Sequence, residues 1–329
     1  MSSPLLRVSD SDDVSSTQLT GGPATNGGLP SSLVSKRRRP GDTVVRAILA
    51  GSAGLSVLIT VGIVVALLVP ALEFFRFVSI GDFLFGNRWA PRFADSSFGV
   101  LPLVSATLWT SAIALLTAIP LGLGAAAYLS EYANPRVRKV LKPVLEILAG
   151  IPTVVYGYFA VQFVQLTVLK GWFNLETGAF SVLSAGLVMG IMIVPTVASL
   201  SEDALTAVPM SLRQGSAALG ANRMQTTMRV VFPAALSGIV AAAVLGISRA
   251  VGETMIVALA AGNQARIVTG PLEQGQTMTG FIANAALGDS RVGSLEYDTL
   301  FAVGLLLFFI TLAINFISIW LVRRFREAY

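Results

Sequence analysis

The 329-residue sequence contains no cysteine and no histidine, and only 12% of its residues are charged. A chain without these two residue types has no disulfide framework, no thiol nucleophile, no Cys/His zinc site and no imidazole base. Soluble globular proteins carry roughly 25% charged residues, so half of the usual solvating charge is missing. These deficits argue against a water-soluble enzyme.

The sequence instead contains long uncharged stretches. Overall, 54% of its residues are hydrophobic and the mean hydropathy is +0.73. The hydrocarbon core of a bilayer, about 30 Å thick, needs roughly 20 apolar residues in a helix. The pattern therefore predicts an all-α, polytopic membrane protein with six transmembrane helices. Their predicted positions are 47–72, 96–130, 147–169, 177–200, 230–265 and 299–322.

Three segments of different character follow one another along the chain. Residues 1–40 are rich in Ser, Gly, Thr, Asp and Pro and are predicted to form a disordered cytoplasmic leader. Residues 41–97 contain the first transmembrane helix and an external loop, and the apolar run exceeds the roughly 7–15 residues of a cleaved signal peptide. Residues 98–325 form the main transmembrane domain, which includes a cytoplasmic loop at 201–234.

The basic residues predict the orientation of these helices. If the N-terminus is cytoplasmic, 16 of the 23 Lys and Arg residues lie in cytoplasmic segments and six lie in external ones. Cytoplasmic loops of membrane proteins carry such an excess, so both termini are predicted to be cytoplasmic in a multi-pass plasma-membrane protein. The net charge of +5 is then a consequence of topology, and no nucleic-acid partner is expected.

The cytoplasmic loop at 201–234 is predicted to contain two short helices. One covers 210–219, a turn follows at Gly220, and a second helix runs from Met224 towards Phe232. Two short helices joined by a tight turn suit insertion into the cleft of a partner protein.

The spacing in this loop resembles the coupling loop of bacterial ABC importer permeases, written EAA, three residues, Gly, nine residues, Ile, one residue, Leu-Pro. An ordinary polar loop that happens to contain Gly and Pro is the alternative. The resemblance implies a MetI-like permease fold and contact with an ATPase, although Gln214 replaces the usual Glu and removes one charge from that contact. The matching positions are Gln214, Gly215, Ser216, Gly220, Val230 and Pro233.

Three further stretches, at 151–157, 248–255 and 260–263, resemble the PstC family of phosphate importer permeases. The resemblance implies a PstA-like sister permease, a dimer of PstB-like ATPases, an external PstS-like binding protein and inorganic phosphate as substrate. The sequence has no G-x-x-x-x-G-K-[ST] phosphate-binding loop, so ATP is expected to be used by the partner ATPase, with no cofactor and no enzymatic activity on this chain. The alternatives are a permease for sulfate or molybdate, a secondary transporter driven by an ion gradient, and a membrane scaffold.

Arg249 and Glu253 interrupt the fifth apolar stretch. A charged side chain at the centre of a bilayer costs about 2.5–3.5 kcal/mol on insertion scales, so both residues need a reason to be there. Four positions apart on a helix, they are expected to share one face. Arg249 is predicted to bind phosphate in the translocation path, and Glu253 to hold Arg249 when the anion is absent. The alternative is an ion pair that only fixes helix packing.

Overall fold

The computed structural model of the protein describes residues 40–93, 95–288 and 291–324. The predicted leader at 1–40 lies outside the described residues except for Pro40, where the first helix begins. The described α-helices are α1 (Pro40–Phe77), α2 (Ile80–Phe85), α3 (Leu101–Ala127), α4 (Pro135–Ala149), α5 (Thr153–Phe159), α6 (Val182–Thr206), α7 (Met210–Ala218), α8 (Arg223–Thr226), α9 (Phe232–Ala234), α10 (Leu236–Gly252), α11 (Met255–Ala260), α12 (Met278–Ala286) and α13 (Leu295–Arg324).

Short π-helical and β segments complete the described architecture. The π-helical segments are π1 (Tyr128–Tyr132), π2 (Ala160–Trp172) and π3 (Thr227–Val231). The strands β1 (Trp89–Ala90) and β2 (Ser97–Phe98) pair antiparallel, with Trp89 opposite Phe98. Helices therefore form the membrane-sized part of the molecule, as the composition predicts.

Within the described residues, four helices are each long and apolar enough to cross a membrane, namely Thr43–Phe77, Leu101–Tyr132, Val182–Thr206 and Leu295–Val322. Two bent pairs add to them: Pro135–Ala149 with Thr153–Trp172 at 89°, and Arg223–Ala234 with Leu236–Gly252 at 72°. The count reaches the predicted six when each bent pair is one span. The predicted spans at 147–169 and 230–265 thus correspond to the two bent segments.

Local sequence accounts for both bends. Pro152 lacks a backbone N–H and is the N-cap residue of α5, whereas α4 ends at Ala149 with Gly150 as its C-cap. Pro233 lies in α9, and the backbone of Ala235 then leaves the helical region at ψ 0° before α10 begins. Side chains cap other helix starts, since Asn134 accepts a hydrogen bond from the Val137 N–H and Ser181 accepts one from the Ser184 N–H.

The core centres on α3 and α6, which form the most extensive helix contact in the described part of the chain. Glycines on α6 allow this close approach. A Cβ atom on Gly186 would lie 2.7 Å from the Ile113 Cβ, and one on Gly190 would lie 2.9 Å from the Ala114 carbonyl oxygen. Small residues four apart are a common means of packing membrane helices closely.

Two smaller apolar clusters lie at opposite ends of α3, a helix about 40 Å long at 1.5 Å per residue. At the start of α3, Phe74, Trp89 and Phe281 pack with Leu103. At its end, Ala126 packs with buried residues of α6 and of the segment that follows it: Leu205, Val208, Val231, Ala235 and Ile239. The segment at 201–234 and the β-hairpin therefore lie at opposite ends of the helical core.

The chain divides into two compact units, with the boundary between Ile59 and Thr60. In the described part of the first unit, apolar side chains such as Leu49, Val57 and Leu58 are exposed. An apolar helix surface of this kind is suited to contact with lipid or with another membrane helix.

Candidate functional site

A break between α10 and α11 separates the two intramembrane charged residues. Arg249 lies in the last turn of α10, which ends at Gly252, whereas Glu253 has an extended backbone with φ −65° and ψ 132°. The chain becomes helical again at Met255. The expectation that Arg249 and Glu253 share one helical face is therefore wrong, because the helix ends between them.

Glu253 caps the start of α11. Its Oε1 accepts hydrogen bonds from the N–H groups of Met255 at 3.0 Å and Ile256 at 3.3 Å. Its backbone carbonyl accepts a hydrogen bond of 2.6 Å from the hydroxyl of Thr279, which lies in the first turn of α12. A carboxylate at a helix N-terminus satisfies free N–H groups and interacts favourably with the helix dipole. The predicted Arg249–Glu253 pair is absent because Glu253 serves this cap instead.

Arg249 is held by a neutral partner. Its Nη1 donates a hydrogen bond of 2.9 Å to the Thr196 hydroxyl on α6, and Tyr156 of α5 lies close enough to interact with it electrostatically. The guanidinium is half-buried. Among the described residues it forms no ion pair with a carboxylate. The site therefore presents a positioned cation whose charge no carboxylate compensates.

The 151–157 stretch brings α5 and α11 together beside this site. A Cβ on Gly157 would lie 3.1 Å from the Leu259 Cβ and 3.3 Å from the Ile256 Cα, so the absence of a side chain favours the close approach of the two helices. The Tyr156 hydroxyl donates a hydrogen bond of 2.8 Å to the Leu148 carbonyl across the bend between α4 and α5. Residues 151–157 therefore hold α5 against α11 and fix the bend between α4 and α5 near Arg249.

The segment at 201–234 contains the two predicted short helices. The first is α7, and Gly220 has a positive φ of 82°, which favours glycine. Asn222 and Gln225 then form a capping box at the start of α8. The hydroxyls of Ser216 and Thr226 are hydrogen-bonded at 3.0 Å and join the two arms of the turn. The prediction of a helix, a turn at Gly220 and a second helix is confirmed.

Apolar side chains project from this helical turn. Leu219 is 90% exposed and Met224 is 64% exposed, while Gln214 and Gly215 are exposed on α7. Exposed apolar groups clustered on a polar segment are typical of protein contact surfaces. Of the two predicted contact residues nearer the membrane helices, Val230 in π3 is half-buried and Pro233 in α9 is exposed.

Comparison with known proteins decides the family. The model of the binding-protein-dependent transport system inner membrane component family matches residues 118–328. This chain belongs to that family. The permease is 37% identical over 283 residues to the probable ABC transporter permease protein YqgH of Bacillus subtilis, covering 84% of this chain and 88% of that protein.

A second relative and a solved structure agree with this assignment. The phosphate transport system permease protein PstC of Mesorhizobium japonicum is 32% identical over 303 residues, covering 86% of this permease and 90% of that protein. An inward-facing structure of the MetNI methionine ABC transporter matches with a TM-score of 0.52 at 21% identity, covering 70% of this permease and 95% of that chain. The fold is that of a MetI-like ABC permease, and the chain is a multi-pass transport subunit rather than an enzyme. An ATPase and a binding protein are the partner classes of such importers.

Sequence reasoning missed the residues that connect the segment at 201–234 to the membrane helices. Arg213 of α7 donates hydrogen bonds to the Leu205 carbonyl at 2.8 Å and to the Glu131 carboxylate at 2.9 Å. Glu202 of α6 is completely buried and forms ion pairs with Arg138 and Lys142 of α4. These partners lie 60 or more residues apart for Glu202, so no local spacing indicates them.

Thr196 was missed for a similar reason. It lies 53 positions from Arg249 in the sequence, and threonine is unremarkable in a membrane helix. Its place one residue after Pro195, a proline inside α6, is the single local feature that marks this part of the helix as irregular.

Proposed function

We propose that this chain is the permease subunit of an ATP-driven phosphate importer and forms the translocation path with a PstA-like sister permease by alternating access. The observation that carries the proposal is the environment of the Arg249 guanidinium. Arg249 lies in α10, one arm of a bent helix pair that can form a single membrane span, and it donates a hydrogen bond of 2.9 Å to the Thr196 hydroxyl with no carboxylate partner among the described residues. The family assignment and relatives named as phosphate permeases support it.

Arg249 is suited to bind a tetrahedral oxyanion in the path. Its planar guanidinium can donate two parallel hydrogen bonds to phosphate oxygens, and its charge is permanent. Because a hydroxyl holds it, an incoming anion does not have to displace a carboxylate. Transport also requires release, so binding by one arginine and neutral neighbours is preferable to a deep cationic pocket.

Glu253 has a supporting role in this proposal. Its carboxylate fixes the start of α11, and this cap keeps the negative charge turned to backbone N–H groups. The break after Gly252 and the position of α11 next to Arg249 then depend on Glu253. We therefore expect loss of Glu253 to alter the path geometry rather than to release Arg249 from a partner.

The segment at 201–234 would transmit ATP-driven closure of a PstB-like ATPase dimer. Exposed Leu219 and Met224 supply apolar contact area, and Gly220 allows the turn between the helices. ATP would be bound by the ATPase alone, with no cofactor on this chain. The residues proposed to form this contact are Gln214, Gly215, Ser216, Gly220, Val230 and Pro233.

The orientation follows from this contact. The coupling segment and both termini would face the cytoplasm, and the end with the β-hairpin and α12 would receive a PstS-like phosphate-binding protein from outside. The distribution of Lys and Arg supports the same orientation.

Phosphate uptake into proteoliposomes tests the proposal. The chain is reconstituted with its sister permease and ATPase, with ATP inside and phosphate-loaded binding protein outside. Arg249→Ala is expected to abolish uptake while the complex still assembles, and Arg249→Lys to retain part of it because the charge remains. Ser248→Ala, at the neighbouring position, is the matched control and should transport phosphate at nearly the wild-type rate.

Three results would contradict the proposal. Wild-type uptake by Arg249→Ala would remove Arg249 from the path. Uptake by the wild-type protein that resists vanadate and needs no ATPase would indicate a secondary transporter. Uptake of labelled sulfate or molybdate in preference to phosphate would assign the permease to a different oxyanion.

A further inference from the structure

A cavity of about 720 Å³ with a mixed polar and apolar lining opens at the end of the permease opposite the segment at 201–234. It lies between the β-hairpin, the connection that follows α11, and α12. No carboxylate is found among its described lining residues. Its polar lining consists of Arg92, Asn263, Gln264, Arg266, Gln276 and Asn284.

Arg266 is the less firmly held of the two arginines in this lining. Arg92 forms an ion pair of 2.6 Å with Glu296. In contrast, Arg266 lies 3.8 Å from the carboxylate of Glu273 and donates a long hydrogen bond of 3.4 Å to the Gln274 carbonyl. A hydrogen bond is weak at such a distance, and the Arg266 side chain is 51% exposed. Its guanidinium can therefore turn to a ligand at little cost.

The carboxylate of Glu273 is hydrogen-bonded to Thr269. It accepts hydrogen bonds from the Thr269 backbone N–H at 3.1 Å and from the Thr269 hydroxyl at 2.9 Å. These bonds favour the ionised carboxylate and hold it in its own turn. The ionised carboxylate, 3.8 Å away, therefore compensates the charge of Arg266 only in part and forms no short hydrogen bond with its guanidinium.

An amide pair adds a neutral donor. The Asn284 Nδ2 donates a hydrogen bond of 2.8 Å to the Asn263 Oδ1. Because the oxygen of Asn263 is occupied in this way, its own Nδ2 is oriented as a donor, and it has no protein partner among the described residues. A cavity lined by charged and neutral hydrogen-bond donors, with no carboxylate among its described lining residues, is suited to bind an oxyanion.

The cavity is close to the Arg249 site along the chain and in the fold. The six residues of α11, about 9 Å long, connect the break beside Glu253 to the turn at Gly262, whose φ is 99°. Asn263 follows directly. The cavity and the Arg249 region therefore lie towards opposite ends of one short helix, which packs against α5 and α6.

We propose that this cavity is a receiving subsite for the transported oxyanion, in which Arg266 and Asn263 hold phosphate released by the binding protein before it reaches Arg249. The inference rests on the proposed function. The subsite binds weakly, because Arg266 is partly compensated and exposed to water, and weak binding allows the anion to move on. Its effect is to keep released phosphate from returning to the external solution.

The number of phosphate ions imported per ATP hydrolysed tests this subsite. The complete importer is reconstituted in proteoliposomes with phosphate-loaded binding protein, and both quantities are measured together. Arg266→Gln is expected to lower the ratio about threefold to tenfold, the effect of losing one exposed charge-assisted hydrogen bond. Arg266→Lys should retain most of the ratio, and Asn263→Ala should lower it in the same direction.

Arg291→Gln is the matched control, because it removes the same charge from an exposed position in the connection between α12 and α13, outside the cavity lining. A wild-type ratio in Arg266→Gln, or an equal loss in Arg291→Gln, would overturn the inference. So would a loss confined to ATPase stimulation by the binding protein, which would make Arg266 a protein-docking residue. Absence of phosphate import by the wild-type complex would instead overturn the proposed function.

Discussion

Glu202 offers a sharp test of how α4 is held to the core. Its side chain is completely buried, and it pairs with Arg138 and with Lys142, the latter at 2.8 Å. In Glu202→Gln, the new amide N–H would face one of these cations, so a donor would meet a donor. Removing one partner of a buried ion pair costs about 3–5 kcal/mol. Water reaches Arg138 and Lys142, which are 38% and 34% exposed, so a loss of about 2–3 kcal/mol is expected.

The adjacent residue provides the control. Asp203 also pairs with Lys142, at 3.2 Å, but its side chain is 61% exposed, and such surface pairs contribute about 0–1 kcal/mol. Equilibrium unfolding in mixed detergent micelles with increasing SDS, followed by the fluorescence of the four tryptophans, measures both variants. The reasoning is refuted if Asp203→Asn costs as much as Glu202→Gln, or if Glu202→Gln lowers the free energy of unfolding by less than about 1 kcal/mol.

Two further predictions concern packing and pH. A methyl group at Gly190 would lie 2.7 Å from the Thr117 Cβ, so Gly190→Ala is expected to cost about 1–3 kcal/mol in the same unfolding assay, whereas Gly124→Ala, in open space, should cost nothing. Hydrogen bonds from Thr269 lower the pKa of Glu273 below its ordinary 4.5. The resulting stabilisation is present above that value and is lost as the pH falls through the lowered pKa. Protection of the 269–273 turn against hydrogen exchange, relative to the intrinsic exchange rate at each pH, should therefore decrease in acid, and Glu273→Gln should abolish this pH response.

Positions of charge predict the membrane helices well, because the cost of burying a charge acts on each segment separately. The same is true of the turn at Gly220, where a positive φ and the Asn222 capping box are local features. Both predictions succeed because the physical cause lies within a few residues of the effect.

The environment of Arg249 could not be predicted in this way. A spacing of four is compatible with an ion pair on a continuous helix, but Glu253 can equally cap a new helix, and local sequence does not distinguish these outcomes. The choice depends on Thr196 and Thr279, which bond to Arg249 and to the Glu253 carbonyl from distant parts of the chain. Tertiary hydrogen bonds therefore decide what the local pattern leaves open.

Contacts between distant residues also connect the segment at 201–234 to the Arg249 site through α6. Arg213 fastens α7 to the Leu205 carbonyl, and Leu205 lies on the same helix as Thr196, nine residues or about 13 Å along its axis. Because α6 is a single helix over this length, a shift at its coupling end moves Thr196 with it. A displacement of about 1 Å is enough to break a 2.9 Å hydrogen bond. In the function proposed above, movement at the ATPase contact would therefore weaken the hydrogen bond between Thr196 and Arg249 and change the affinity of Arg249 for the anion.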